Sequence, residues 1–214
     1  TAQTRLWSIQ TQHKALIRKL AQSLNTPLIL AHLLLNRGVT SLDDAINYLS
    51  ESEPDVTGFP DTWVKTTVSI IQSLQASPQK ARVLVYGDYD VDGITSTTVM
   101  MQLLTQLGFD VTYFIPDRFN DGYGLTDRVY DLVKTRQPDW LITLDCGVSN
   151  YTECTYLKAH YPDLKITIID HHQMPELWPP ADSIINPKCL KPSHDYYALC
   201  TVGIVYEFFK VVVQ

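Results

Sequence analysis

No stretch of this sequence approaches the ~20 consecutive apolar residues that a membrane-spanning helix needs. The opening "TAQTRLWSIQ" also lacks the apolar run of a secretory signal, so no membrane partner is expected. No two of the four cysteines, Cys146, Cys154, Cys189 and Cys200, form a CxxC pair. That usage suits reduced thiols in a cytoplasmic protein better than a disulfide framework. Positive charge is not in excess either: the formal net charge is −6, which excludes a surface basic all round but leaves room for a local basic groove. Internal repeats and low-complexity segments are missing. What remains is an ordinary folding composition. With 45% hydrophobic and 19% charged residues, 214 residues suffice for one large domain or a small one plus a large one. The closing "FFKVVVQ" stops without a turn, a glycine or a charged tail, which predicts that the chain is a piece of a longer protein.

The first 80 residues read as a small helical region. "TQHKALIRKLAQSL" has helical spacing, and "PLILAHLLLNRG" starts on Pro27 and stops at Gly38. "SLDDAINYL" opens on Ser41 with Asp44 three places later, like a capping box with Asp in place of Glu. "DTWVKTTVSIIQSLQ" is a further amphipathic helix, followed by the polar link "ASPQKA". From residue 81 to 214 the rhythm changes. "RVLVYG", "DVTYFIP", "WLITLD" and "LKITIID" are apolar runs continuous enough for strands buried on both faces. Helical stretches lie between them, "ITSTTVMMQLLTQLG", "LTDRVYDLVKTRQ" and "NYTECTYLKAHYP", and a last helix is expected from about Ala198. The repeat of roughly thirty residues is the length of a βαβ unit, so the expected fold is α/β, a mostly parallel sheet with flanking helices.

Three of these strands run into acids. "VLVYGDYDVDG" carries Asp88, Asp90 and Asp92, "WLITLD" ends in Asp145, and "KITIID" ends in Asp170, followed by His171 and His172. In an open parallel sheet, ligands sit beyond the carboxyl ends of the strands, so these residues should converge on one edge. Five carboxylates gathered there need protons or cations to coexist. Carboxylates with imidazoles suit Mn²⁺ or Mg²⁺, and Zn²⁺ or Fe²⁺ less well. Asp-x-Asp-x-Asp-Gly also heads an EF-hand loop, but that loop closes on a Glu at its twelfth position, and here Val99 stands there after a strand rather than a helix. An Asp at a strand end can also be a plain N-cap for the next helix. For any one of the three strand ends, that reading stays open.

"DYDVDGITS", "LDCG" and "DHH", in this order and with these gaps, resemble the DHH phosphoesterase superfamily. "IPDRFNDGYGL", "SIINPK" and the N-terminal "LLLNRGVTSLDDAINYL" resemble its RecJ family of single-strand-specific DNA exonucleases. The resemblance implies one or two divalent ions, Mn²⁺ or Mg²⁺, held by Asp88, Asp90, Asp92, Asp145 and His171, with Asp145 as the shared carboxylate. It implies that His172 and Asp145 act catalytically, with His172 facing the scissile phosphate, and that Asp170 orients a metal-bound histidine. It further implies 5′-to-3′ hydrolysis of single-stranded DNA to 5′-mononucleotides in repair and recombination, with single-strand-binding protein and helicase partners. Members that cleave oligonucleotides, cyclic dinucleotides or pyrophosphate, and inactive scaffolds of the same fold, are the alternatives.

Arg118 and Tyr123 in "DRFNDGYGL", and Lys188 in "INPK", are candidates for substrate contact; a connecting loop and a solvated lysine are the plain alternatives. Thr95 and Ser96 fall in the first turn of the helix after Gly93, where backbone N–H groups favour an anion; capping is their expected job. Two departures from the family pattern stand out. Many members have a histidine four residues before Asp90, where this chain has Tyr86, which leaves Asp88 to substitute as a ligand. The family's fourth motif, an aspartate, and its DNA-clamping parts fall past Gln214 by family spacing.

Overall fold

The computed structural model describes residues 14–50 and 59–213. The start of the first expected helix, Thr11 to His13, lies outside the described residues. The chain divides into two compact units, Thr1–Asp55 and Val56–Gln214.

The first unit holds α1 (Lys14–Ser23), α2 (Leu28–Asn36) and α3 (Leu42–Leu49). Leu20 and Ala21 of α1 bury against Ala31, Leu34 and Leu35 of α2, with Val39 and Ala45 completing the cluster. Pro27 stands just ahead of α2, and Gly38 ends the turn after it with φ of 80°. The Ser41 hydroxyl accepts from the Asp44 N–H at 3.0 Å, which starts α3 as expected.

The second unit begins with α4 (Asp61–Gln75) and continues β1 (Arg82–Gly87), α5 (Val91–Gln106), β2 (Asp110–Phe114), α6 (Arg128–Arg136), β3 (Trp140–Leu144), α7 (Tyr151–His160), β4 (Lys165–Ile169) and β5 (Ser183–Ile185). Two short 3₁₀ turns, Pro187–Cys189 and Asp195–Ala198, lead into α8 (Thr201–Val213). All five strands are parallel, in the order β2-β1-β3-β4-β5. The order reverses between β1 and β3, the place where open α/β sheets bind ligands.

Side chains alternate across the sheet. Val83 and Val85 face a core shared with α4, α5 and α8, while Leu84 and Tyr86 face one shared with α6 and α7. Helices on both faces explain why the strands read as continuous apolar runs.

Three boundaries differ from the sequence reading. Helix α4 belongs with the sheet rather than with the N-terminal helices: Trp63, Ile70 and Ile71 bury in the sheet's core, and the Thr67 hydroxyl meets that of Ser183 at 3.1 Å. The units therefore divide at Asp55 and Val56 rather than near residue 80. Helix α5 starts at Val91, three residues before the expected Ile94, because Asp90 caps it by accepting from the Gly93 N–H at 3.0 Å. The last helix starts at Thr201, after the 3₁₀ turn through Ala198. A fifth strand, β5, lies in "SIINPK", too short to show a period.

Candidate metal centre

The strand register sets three carboxylates side by side. Gly87 pairs with Leu144, and Leu144 with Ile169. One residue further on, the N–H of Asp88 donates to Leu144 O at 3.1 Å, that of Asp145 to Ile169 O at 3.0 Å, and that of Asp170 to Ile185 O at 3.1 Å. The ladder thus extends through all three acids, and each is at most 3% exposed. Asp145 takes a left-handed backbone, φ 62°, which a side-chain-bearing residue adopts at a cost of order 1–3 kcal/mol. Its place in the ladder and its burial hold it there.

Ligand atoms gather around Asp145 in two groups. Those of Asp88, Asp90 and Asp145 lie within 4.8 Å of one another, and so do those of Asp145, His171 and His172. Asp145 belongs to both. His171 Nε2 lies 3.3 Å from Asp145 Oδ1 and 3.6 Å from Asp92 Oδ2. Burial pushes the Asp145 carboxyl up to about 8, and the neighbouring Asp92 charge adds to the rise. Asp88 is raised too, chiefly by burial, and its buried Oδ1 has no hydrogen-bond partner. A buried carboxylate oxygen with nothing to accept, beside a second carboxyl that resists ionising, is what a divalent cation would satisfy. All the nearby donors are oxygen or imidazole nitrogen, the set that Mn²⁺ and Mg²⁺ accept.

The two histidines are held differently. His172 Nδ1 lies 2.7 Å from Asp170 Oδ1, which also accepts the His172 N–H at 3.0 Å; the Val148 N–H donates to Oδ2 at 3.3 Å. Burial works to raise Asp170, but the bonds from the His172 ring and backbone outweigh it and bring the acid below its usual value. The same bond raises His172, which becomes an imidazolium more readily than a free histidine. Asp170 therefore positions a histidine, but the one it holds is His172 rather than His171. Behind it, buried Asn186 donates to His172 O at 2.9 Å, which fixes the "DHH" turn against "INPK".

Asp92 has a use that spacing did not reveal. Its two oxygens accept the N–H groups of Thr201 and Val202, both at 2.8 Å, so it caps α8 from across the molecule. Asp88 ends the strand, Asp90 caps α5 and keeps its place in the first group, and Asp92 anchors α8 while its Oδ2 lies 3.6 Å from His171 Nε2. Thr201 is fully buried and donates its hydroxyl to Asp145 Oδ1 at 3.0 Å.

The remaining candidates separate clearly. Tyr123 reaches the centre, its hydroxyl donating to Asp145 O at 3.4 Å and lying 3.2 Å from His172 Nδ1. Arg118 sits over the Tyr89 ring, 5.3 Å from its centroid. Lys188 is engaged in its own loop: Nζ donates to Tyr197 O at 2.7 Å and lies 4.3 Å from the Tyr197 ring centroid. Thr95 and Ser96 do not cap; their hydroxyls donate back to Val91 O and Gly93 O. Tyr86 faces the core shared with α6 and α7 and donates to Gly124 O at 3.1 Å, pinning the 117–125 loop.

The model of the DHH family's N-terminal domain matches residues 82–214. The chain belongs to the DHH family. Among curated DHH relatives, the single-stranded-DNA-specific exonuclease RecJ of Bacillus subtilis is 32% identical over 203 residues, 94% of this chain and 25% of that protein. A crystal structure of exonuclease RecJ bound to manganese superposes with a TM-score of 0.62 at 28% identity, over 73% of this chain and 38% of that one. RecJ from Thermus thermophilus, solved with Mn²⁺, shares the fold at a TM-score of 0.63 and 23% identity, over 95% of this chain and 28% of that one. This DHH chain spans about a quarter of the length of the curated relatives it matches.

Proposed function

We propose that the chain carries the metal centre of a phosphodiesterase that degrades single-stranded DNA from the 5′ end to 5′-mononucleotides, in repair and recombination. The observation that carries the chemistry is the acid ladder: Asp88, Asp145 and Asp170 on consecutive parallel strand ends, with Asp145 common to two groups of ligand atoms. Substrate, direction and cellular role rest on the likeness to RecJ.

Asp88, Asp90, Asp145 and His171 would hold one or two ions, Mn²⁺ or Mg²⁺. Such ions polarise phosphoryl oxygens, lower the pKa of a water and offset charge on the leaving oxygen. The chain's own side chains do the rest. Asp170 accepts from His172 Nδ1 and favours the imidazolium, in which Nε2–H would be free to donate to a phosphoryl oxygen. Thr201 fixes the rotation of the shared Asp145 carboxylate. Asp92 ties α8 to the same edge, so that Thr201 arrives in place.

The test offers 5′-labelled single-stranded DNA, duplex DNA, a dinucleotide and pyrophosphate side by side, with Mn²⁺, to the protein. Preferred release of labelled mononucleotide from the single strand is expected. Equal or faster turnover of the small substrates would favour a DHH hydrolase of another class, and no turnover with no bound metal would favour an inactive scaffold.

A further inference from the structure

A hydroxyl buried in an apolar layer is unfavourable unless it is hydrogen-bonded, so each one inside the sheet calls for a partner. On β4, Thr167 accepts from Trp140 Nε1 at 2.9 Å, and on β5, Ser183 meets Thr67. On β3, in the run "WLITL", Thr143 stands between Tyr86 of β1 and Ile168 of β4 and is fully buried. Its hydroxyl donates to Cys146 O at 3.0 Å, three residues further on. Cys146 is buried as well, and no other donor reaches its carbonyl among the described residues.

This bond falls just past Asp145. The Asp145 N–H is fixed to Ile169 O at 3.0 Å, and the carbonyl of the next residue is fixed to Thr143. Between and beyond these anchors the chain turns sharply, with φ of 62° at Asp145 and 111° at Gly147. The second angle suits glycine, and the space admits nothing larger: a Cβ on Gly147 would lie 2.5 Å from Thr143 Oγ1 and 3.3 Å from Ile168 Cγ2. Thr143 thus fills the place that a side chain would take in the turn. Further on, the Asn150 N–H donates to Gly147 O at 3.0 Å, and the Val148 N–H to Asp170 Oδ2 at 3.3 Å. The turn is tied to the acid ladder at both ends and to β3 through the Thr143 hydroxyl.

We propose that Thr143 is a positioning residue for the metal centre. Through Cys146 O it holds Asp145 in the left-handed conformation that keeps the carboxylate within both groups of ligand atoms. Such a backbone is unfavourable for an aspartate and persists only where the surroundings over-determine it. Without the hydroxyl, Cys146 O is buried and unpaired, and the turn gains by rotating it towards another donor. Asp145 then relaxes, and its carboxylate leaves the positions it shares with Asp88 and Asp90 on one side and His171 on the other. The inference rests on the metal-dependent reading above, and it adds what holds the shared ligand in place.

Mn²⁺ titration calorimetry on this chain decides it, alongside urea unfolding without metal. Thr143→Val keeps the shape and removes the donor. Its Mn²⁺ affinity should fall by about 10-fold or more, the range for groups that orient ligands. Thr143→Ser keeps the donor and loses a buried methyl, so it should unfold more easily yet bind Mn²⁺ like the parent. Ile168→Val trims the same cradle without touching the hydrogen bond and should behave like Thr143→Ser. A merely structural threonine would not separate affinity from stability in this way. Unchanged affinity in Thr143→Val, or an equal loss in Thr143→Val and Thr143→Ser, overturns the proposal. The calorimetric stoichiometry reports the folded fraction, so a partly unfolded sample is not mistaken for a weakened site. If Thr143→Val leaves the chain unfolded, Thr143→Cys carries the comparison. Its thiol is a weak donor, so its Mn²⁺ affinity should fall below that of Thr143→Ser, and equal affinities overturn the proposal. Failure of the unaltered chain to bind Mn²⁺ overturns both the proposal and the metal-dependent reading. Turnover of single-stranded DNA is scored separately, in the assay above. Its absence alone counts against the exonuclease reading, while the Mn²⁺ series still judges Thr143.

Discussion

Thr201 donates its hydroxyl to Asp145 Oδ1 at 3.0 Å, linking the start of the last helix to the carboxylate shared by both groups of ligand atoms. Asp145 has a strained backbone and is buried, and His171 Nε2 lies 3.3 Å from the same Oδ1. A hydrogen bond to a charged acceptor is worth about 1.5–3 kcal/mol, and it favours the ionised form that a cation requires. Thr201→Val should therefore weaken Mn²⁺ binding to this chain by about 10-fold, within the usual range for residues that orient ligands. Thr201→Ser should restore most of it. Isothermal titration of the two variants checks this, and equal affinities in Val and Ser would remove the role assigned to the hydroxyl.

Asp92 makes the opposite kind of prediction. Both its oxygens are engaged with the first N–H groups of α8. Losing such a cap costs about 0.5–2 kcal/mol, and the helix dipole adds to it. Asp92→Ala should lower the stability of the metal-free chain by about 2 kcal/mol in urea unfolding. A variant that unfolds like the parent but no longer binds metal would show that ligation, and not capping, is its main task.

The pH dependence follows from which state prefers the proton. Asp145, raised to about 8, holds its proton more tightly folded than unfolded. Its contribution is complete below the unfolded value, near 4, and is lost as pH rises through about 8. His172 is raised as well, so it loses stabilisation in the same direction, whereas the lowered Asp170 loses its own only as pH falls into the acid range. The metal-free chain should thus be less stable at about pH 8.5 than at about pH 6. Added Mg²⁺ should stabilise it more at the higher pH, because the ligands must first give up their protons. Thermal melts with and without Mg²⁺ at both pH values test this, and Asp145→Asn should flatten much of the difference.

What the sequence revealed and concealed has a physical pattern. The four long strands were legible because each is covered on both faces and reads as an unbroken apolar run. The acids at their ends were legible because strand ends in a parallel sheet share one edge. Contacts between distant residues were not. Asp92 finds its partner 109 positions away, and Thr201 finds Asp145 56 positions back, so neither leaves a local trace. Thr201 reads as one more helix-start threonine. Asn186 has only a weak signal in "INPK", beside the more conspicuous charge of Lys188, whose Nζ meets Tyr197 O at 2.7 Å. Helix α4 resembles its N-terminal neighbours in pattern, and only its burial on the sheet assigns it to the second unit.

Gly93 gives the sharpest structural test. A Cβ built there would lie 2.4 Å from Asp88 O and 2.7 Å from Asp88 Cα, contacts with backbone that no rotamer change relieves. Two effects then compete in Gly93→Ala. Alanine in place of glycine favours a helix by about 1 kcal/mol at most. Overpacking against fixed backbone costs about 1–3 kcal/mol, and here the overlap is severe enough to set the upper end. The overlap wins, and the first turn of α5 must lift away from the end of β1. That movement carries Asp90, whose carboxylate caps the same turn, away from Asp88 and Asp145 and opens the first group of ligand atoms. Gly93→Ala should thus lower both stability and Mn²⁺ affinity. Gly108→Ala, where a Cβ meets nothing within 4 Å but φ is 90°, should cost stability alone. Unfolding and metal titration of the two variants in parallel decide it: equal metal affinities would mean that the close approach of α5 to Asp88 does not set the geometry of the site.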